Sequence, residues 1–123
     1  MRSAQATLGA MVLVCKDDAT SFAGISPGAF AELGTVTADI EAASKAFRAW
    51  DKINYLMLMM VDPDVHFHVL PRYAEQQELD GVAFADPGWP GPPDLGSAVT
   101  LSAEQIKALT NGLKAVWPQQ KET

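Results

Sequence analysis

The spacing of apolar positions changes several times along the chain, and each change marks an element. Leu8 to Cys15, LGAMVLVC, is a nearly continuous apolar run that becomes β-rich at its end. It predicts a buried strand, closed by the turn-prone Lys16-Asp17-Asp18. From Phe30 the period lengthens. Phe30, Leu33, Val36, Ile40, Ala43, Phe47 and Trp50 fall three or four apart, the stripe of one long amphipathic helix. Ser26 is placed to cap it and Pro27 to occupy its first position. Glu32, Asp39, Glu41, Lys45 and Arg48 lie off the stripe and read as a solvated face.

Lys52 to Met60, KINYLMLMM, predicts a second strand, although its methionines also suit a helix. Val61 to Asp64, VDPD, reads as a tight turn, because Pro63 fixes its own φ and disfavours helix at Asp62. Val65 to Leu70 then forms a third strand, antiparallel to the second. Residues 81–96 are a Gly/Pro-rich loop that carries Trp89, with Val82 to Ala85 as a short edge strand at its start. A C-terminal helix is expected over residues 102–117. Ser102 and Gln105 make a capping box, and Leu101 and Ile106 a hydrophobic staple. Ile106, Leu109, Leu113, Val116 and Trp117 supply its stripe, and Pro118 follows its end.

The order strand, helix, strand, strand, loop, helix implies an α+β domain with helices packed on an antiparallel sheet. Residues 1–123 read as a single domain, with no internal repeat and no linker. So small a sheet leaves free edges, and a homodimer that extends it is expected. The net charge of −6 argues against a general nucleic-acid binder, though one local Arg can still serve a phosphate ligand. The longest apolar run, Ile53 to Val61, is interrupted by Asn54 and is too short to span a bilayer. No signal peptide is visible after Arg2. The single Cys15 lies in an apolar run and reads as a reduced core thiol, so the cytoplasm is the expected compartment. No cofactor is expected, and no metal is assigned to the leading reading of the chain.

The chemistry concentrates in DPDVHFHVLPR, residues 62–72. Side chains alternate across a strand, so Val65, Phe67 and Val69 share one face, and Asp64, His66 and His68 the other. Both histidines of the chain are thus on one face of one strand. A neutral imidazole held at one nitrogen can attack phosphorus with the other, while a neighbouring histidine donates to the phosphate oxygens. Alternatively the two rings converge on a metal, with Asp64 a strained third ligand. A third reading is a half-exposed sheet face without chemistry. Spacing alone leaves all three open.

Asp51 to Tyr73, DKINYLMLMMVDPDVHFHVLPRY, resembles the core of the histidine-triad (HIT) family. That family's signature alternates three histidines with apolar residues, and a Pro-Arg often follows. Here the row runs Asp64-Val65-His66-Phe67-His68-Val69-Leu70, then Pro71-Arg72. The KINY segment and the later GWPGPP resemble a bacterial branch described as HIT-like hydrolases of dinucleoside polyphosphates. The resemblance covers about Leu8 to Pro93 in element order.

The resemblance implies a nucleoside phosphate ligand and a hydrolase or nucleotidyl transferase. His66 matches the nucleophile that attacks the α-phosphorus, and His68 the last histidine, which contacts the phosphate. Asp64 stands where the first histidine belongs. A carboxylate there repels phosphate, but can accept a hydrogen bond that biases a neighbouring ring. Family members also commonly carry an Asn on the neighbouring strand and a Ser or Thr before the triad, where this chain has Met59, Met60 and VDP. They usually possess an earlier hairpin and helix as well. Asn54, Arg72 and Trp89 are the remaining substrate-binding candidates. Lys52 is a further source of positive charge, Arg72 could instead brace the sheet, and Trp89 could stack on a base or simply pack. The alternative functions are a degenerate triad that binds nucleotides or dimerises without turnover, and a metal-binding protein built on His66 and His68.

Overall fold

The computed structural model describes residues 2–118. Its strands are β1 (Ala4–Gln5), β2 (Met11–Val14), β3 (Lys52–Leu56), β4 (His66–Arg72), β5 (Gln77–Leu79), β6 (Val82–Phe84) and β7 (Val99–Thr100). Its helices are α1 (Pro27–Phe47) and α2 (Ala103–Val116), with a 3-10 turn at Phe22–Gly24. The central sheet has the order β2-β4-β3 and is antiparallel throughout. The α+β architecture with one long and one C-terminal helix is therefore the one expected from the apolar periods.

Both helices begin where their caps dictate. The Ser26 side chain accepts from the Ala29 N–H, with Pro27 at the first helical position. Ser102 and Gln105 form the reciprocal capping box. Leu101 and Ile106, the staple pair, share one core cluster with Leu8, Tyr73, Phe84 and Leu109. Helix α1 lays Ile40 and Ala43 on Met11 and Val69 of the sheet, and Leu113 of α2 joins them. The helices approach closely at Gly112, where a Cβ would lie 2.7 Å from the Phe47 ring. Ala43, Val65, Val69 and Leu109 are completely buried, so the valine face of β4 is the core face.

Some boundaries differ from the expected ones. The strand expected over Leu8 to Cys15 is β2 and begins at Met11, because Leu8 and Gly9 turn the chain (Gly9 φ +91°) before it enters the sheet. β3 ends at Leu56, not Met60. Met59 adopts φ +53°, which breaks the extended run. Met57 and Met59 pack on Ala19, Ile25 and Val65, while Met60 and Val61 are exposed. Residues 57–65 are consequently a longer connection than the tight VDPD turn. β4 continues past Leu70 through Pro71 to Arg72. The edge strand at Val82 pairs with β5 in a separate hairpin, not with the main sheet. Asp80 and Gly81 both have positive φ there, the two-residue Asp-Gly turn that favours such a hairpin. Trp50 and Trp117 lie just beyond their helices, and Trp50 Nε1 donates to Ser44 Oγ at 3.0 Å. The polar face of α1 is not wholly solvated: Glu41 accepts a 2.8 Å bond from the Tyr55 hydroxyl.

Candidate functional site

The register of β4 sets the surroundings of the histidines. Val14 lies opposite His66, while His68 lies between Val12 on β2 and Leu56 on β3. The strand neighbour of His68 is thus Leu56, and not Met59 or Met60. Met60 instead reaches the rim of an open cleft of about 440 Å³, which Arg2, Val12, Leu58, Val61, Asp62, His66 and His68 also line. Both histidines are half-buried, and their rings meet edge-on at 5.3 Å between centroids.

The two rings are held in opposite senses. His66 Nδ1 lies 2.8 Å from the backbone carbonyl of Asp64. A carbonyl only accepts, so Nδ1 carries the proton and Nε2 keeps its lone pair. His68 Nδ1 lies 3.4 Å from Arg2 Nη1. A guanidinium only donates, so Nδ1 accepts and neutral His68 bears its proton on Nε2. Partial burial, followed by the charges of Arg2 and His66, pushes His68 below the ordinary histidine pKa. The site therefore offers one bare ring nitrogen and one ring N–H.

Asp64 acts in an unexpected way. It lies before β4 in an exposed bend, and its N–H donates to Asp62 Oδ1 at 2.9 Å. It does fix the neighbouring ring, but through its main-chain carbonyl and not its carboxylate. The identity of the side chain is therefore not what orients His66.

Arg72 and Asn54 sit at the other end of the same face. Arg72 is buried, and its Nε and Nη2 grip the Asp86 carboxylate at 2.7 and 3.0 Å. Nη1 donates to Asn54 Oδ1 at 2.7 Å, and Nη2 also reaches the Gly91 carbonyl at 3.0 Å. These bonds join Arg72 to Asn54 on β3 and tie the Gly/Pro-rich loop to the sheet. Trp89 is half-buried in that loop, next to a cis bond to Pro90, and is not among the residues lining the histidine cleft. Lys52 is exposed beside Arg72 at the start of β3.

The cation near the histidines is Arg2, which the sequence pattern did not single out. A lone Arg ahead of the first strand has no local period or motif. Only the long-range pairing of Gln5 with Val99 on β7, and the turn that follows β1, carry it to β4. Among the described residues no group of three or more His, Cys, Asp or Glu side chains is gathered to hold a metal, so the histidine pair lacks a third ligand.

No family model matches the sequence, and no curated protein does. Solved structures do match. A histidine-triad protein from Sinorhizobium meliloti superposes with a TM-score of 0.70 at 24% identity, over 87% of this chain and 73% of that one. A histidine-triad protein from Bradyrhizobium japonicum gives 0.67 at 21%, over 88% and 75%. A hypothetical histidine-triad nucleotide-binding protein from Sulfolobus tokodaii gives 0.67 at 16%, over 94% and 74%. With its antiparallel β2-β4-β3 sheet and long α1, the chain has the fold of the histidine-triad proteins.

Proposed function

We propose that this chain is a member of the HIT family that binds nucleoside phosphates and transfers or hydrolyses a nucleotidyl group through His66. One observation carries the reading: the Asp64 carbonyl holds the proton on His66 Nδ1, which leaves Nε2 as a free nucleophile in an open cleft. In the proposed reaction the Nε2 lone pair attacks the α-phosphorus. The bond from phosphorus to the leaving group breaks, and the leaving group departs with the electron pair and takes a proton from solvent. Positive charge that develops on the His66 ring is stabilised by the Nδ1–H bond to the carbonyl. His68 Nε2–H donates to a phosphate oxygen. Water then attacks the phosphorus of the nucleotidyl-histidine and loses a proton to solvent, the P–N bond breaks with its electron pair returning to His66 Nε2, and the free nucleotide leaves. Dinucleoside polyphosphates are one class of donor that would serve.

The active form is proposed to be a cytoplasmic homodimer. β3 is a free outer strand of the central sheet, and exposed Leu58, Met60 and Val61 follow it, an edge that a second copy could extend. The unpaired Cys15 suits a reducing compartment. A second reading, nucleotide binding without turnover, is favoured by one fact. The Asp64 carboxylate is exposed and gives the cleft no donor in place of a first histidine.

Mass spectrometry after incubation with an adenylylated donor tests the proposal. An adenylyl adduct on His66, absent from His66→Gln, is expected. Nucleotide binding with neither adduct nor turnover would leave only the second reading, and no binding would remove both.

A further inference from the structure

Arg2 is anchored in a way that an exposed side chain on a loose segment would not need. Gln5, 1% exposed, turns its whole amide inward. Its Nε2 donates to the carbonyls of Arg2 and Ala10 at 2.7 and 2.9 Å. Its Oε1 accepts from the N–H groups of Gly9 and Ala10 at 2.7 and 3.2 Å. One buried amide thus closes the turn that leads into β2. The stretch is pinned from outside as well: Ala4 and Gln5 pair with Thr100 and Val99, and Leu101 N–H donates to the Ser3 carbonyl at 2.8 Å. The result is a guanidinium beside His68 in the cleft.

The charge inventory of the cleft gives this placement meaning. Arg2 is the one Lys or Arg among its lining residues, and Asp62 is a carboxylate at the same opening. The other strong candidate, Arg72, already spends its Nε, Nη1 and Nη2 on Asp86, Asn54 and Gly91. The Arg2 guanidinium has a single 3.4 Å partner among the described residues, and its planar fork retains donors for an anion.

We propose that Arg2 is the phosphate-binding cation of this site, held in position by Gln5, and that it supplies the anion contact that Asp64 cannot. The proposal rests on the reading that the cleft takes nucleoside phosphates, and it names the group that grips the phosphate. Gln5 is a positioning residue that acts only through Arg2.

Calorimetric titration of the full chain and its variants with 5′-AMP and with adenosine tests both parts. Arg2→Ala is expected to weaken 5′-AMP binding by about tenfold or more and leave adenosine unchanged. Arg2→Lys should recover part of the loss, because it restores charge without the fork. Gln5→Ala should repeat the phosphate-selective loss. Equal losses for both ligands in a folded Gln5→Ala would overturn its positioning role, and if that variant does not fold, the two Arg2 variants still decide the phosphate contact. Wild-type and Arg2→Ala proteins that bind 5′-AMP equally would overturn the role of Arg2 and leave the nucleotide reading intact. A wild type that binds neither ligand would remove that reading and this one together.

Discussion

Two arginines border one face of the His66–Arg72 strand and its surroundings, and they live in opposite conditions. At the carboxyl end, Arg72 is 3% exposed and bonded to Asp86, Asn54 and Gly91. At the amino end, Arg2 is exposed, and its guanidinium has a single long contact among the described residues, to His68. A buried guanidinium must be fully paired, since an uncompensated charge away from water is strongly unfavourable. Such a group is committed to architecture. A guanidinium with spare donors at an open cleft is available to a ligand. The contrast separates a guanidinium that holds the loop to the sheet from one that keeps donors open at the cleft.

Substitution at the paired end should have the largest effect. Arg72→Ala leaves the Asp86 carboxylate, whose side chain is 1% exposed, without its charged partner and with only the Tyr73 N–H at 3.2 Å. A loss of about 3–5 kcal/mol is expected in urea unfolding. A variant that unfolds like wild type but loses nucleotide affinity would move Arg72 into the binding site and erase the contrast. Asn54→Ala removes one acceptor from the same guanidinium and should cost about 1–2 kcal/mol, again without a selective effect on binding. Arg2→Ala should change stability by no more than about 0.5 kcal/mol, as befits an exposed side chain.

The pH dependence of His68 sharpens the comparison from the open end. Its folded-state pKa lies below the ordinary value, through burial first, then the Arg2 and His66 charges. Between the folded pKa and about 6.5, the unfolded chain therefore binds more protons than the folded one. The associated stability is fully present above pH ~6.5 and is lost as pH falls from there through the folded pKa. In Arg2→Ala, an NMR titration should find the His68 pKa moved back up toward its ordinary value. No movement would mean that the Arg2 charge does not reach the ring.

Much of this frame was legible in local pattern. The caps at Ser26 and Ser102, the α1 stripe and the alternation of Val65, Phe67 and Val69 with the histidines depend on neighbours within a turn or two. The Asp80-Gly81 hairpin was equally local, but the strand before it, Gln77–Leu79, is too short and polar to stand out. What escaped is non-local. The end of β3 at Leu56 follows from Met57 and Met59 turning to a core cluster, which no period in KINYLMLMM reveals. The fate of Arg72 depends on Asp86, fourteen residues on, and on a loop folded back over the strand. Arg2 reaches His68 across 66 positions of sequence. Sequence points to the carboxylate of Asp64, whereas orientation of His66 comes from its main chain, which every residue type possesses.

In the proposed site a backbone carbonyl poises His66 as a nucleophile, and His68 is held in the opposite tautomer. Nitrogen-15 NMR of the imidazole rings at a pH where both are neutral tests it most directly. The expected result is His66 protonated at Nδ1 with Nε2 bare, His68 protonated at Nε2, and the same His66 pattern in Asp64→Asn. A proton on His66 Nε2, or a tautomer that switches when the Asp64 side chain is changed, would contradict it.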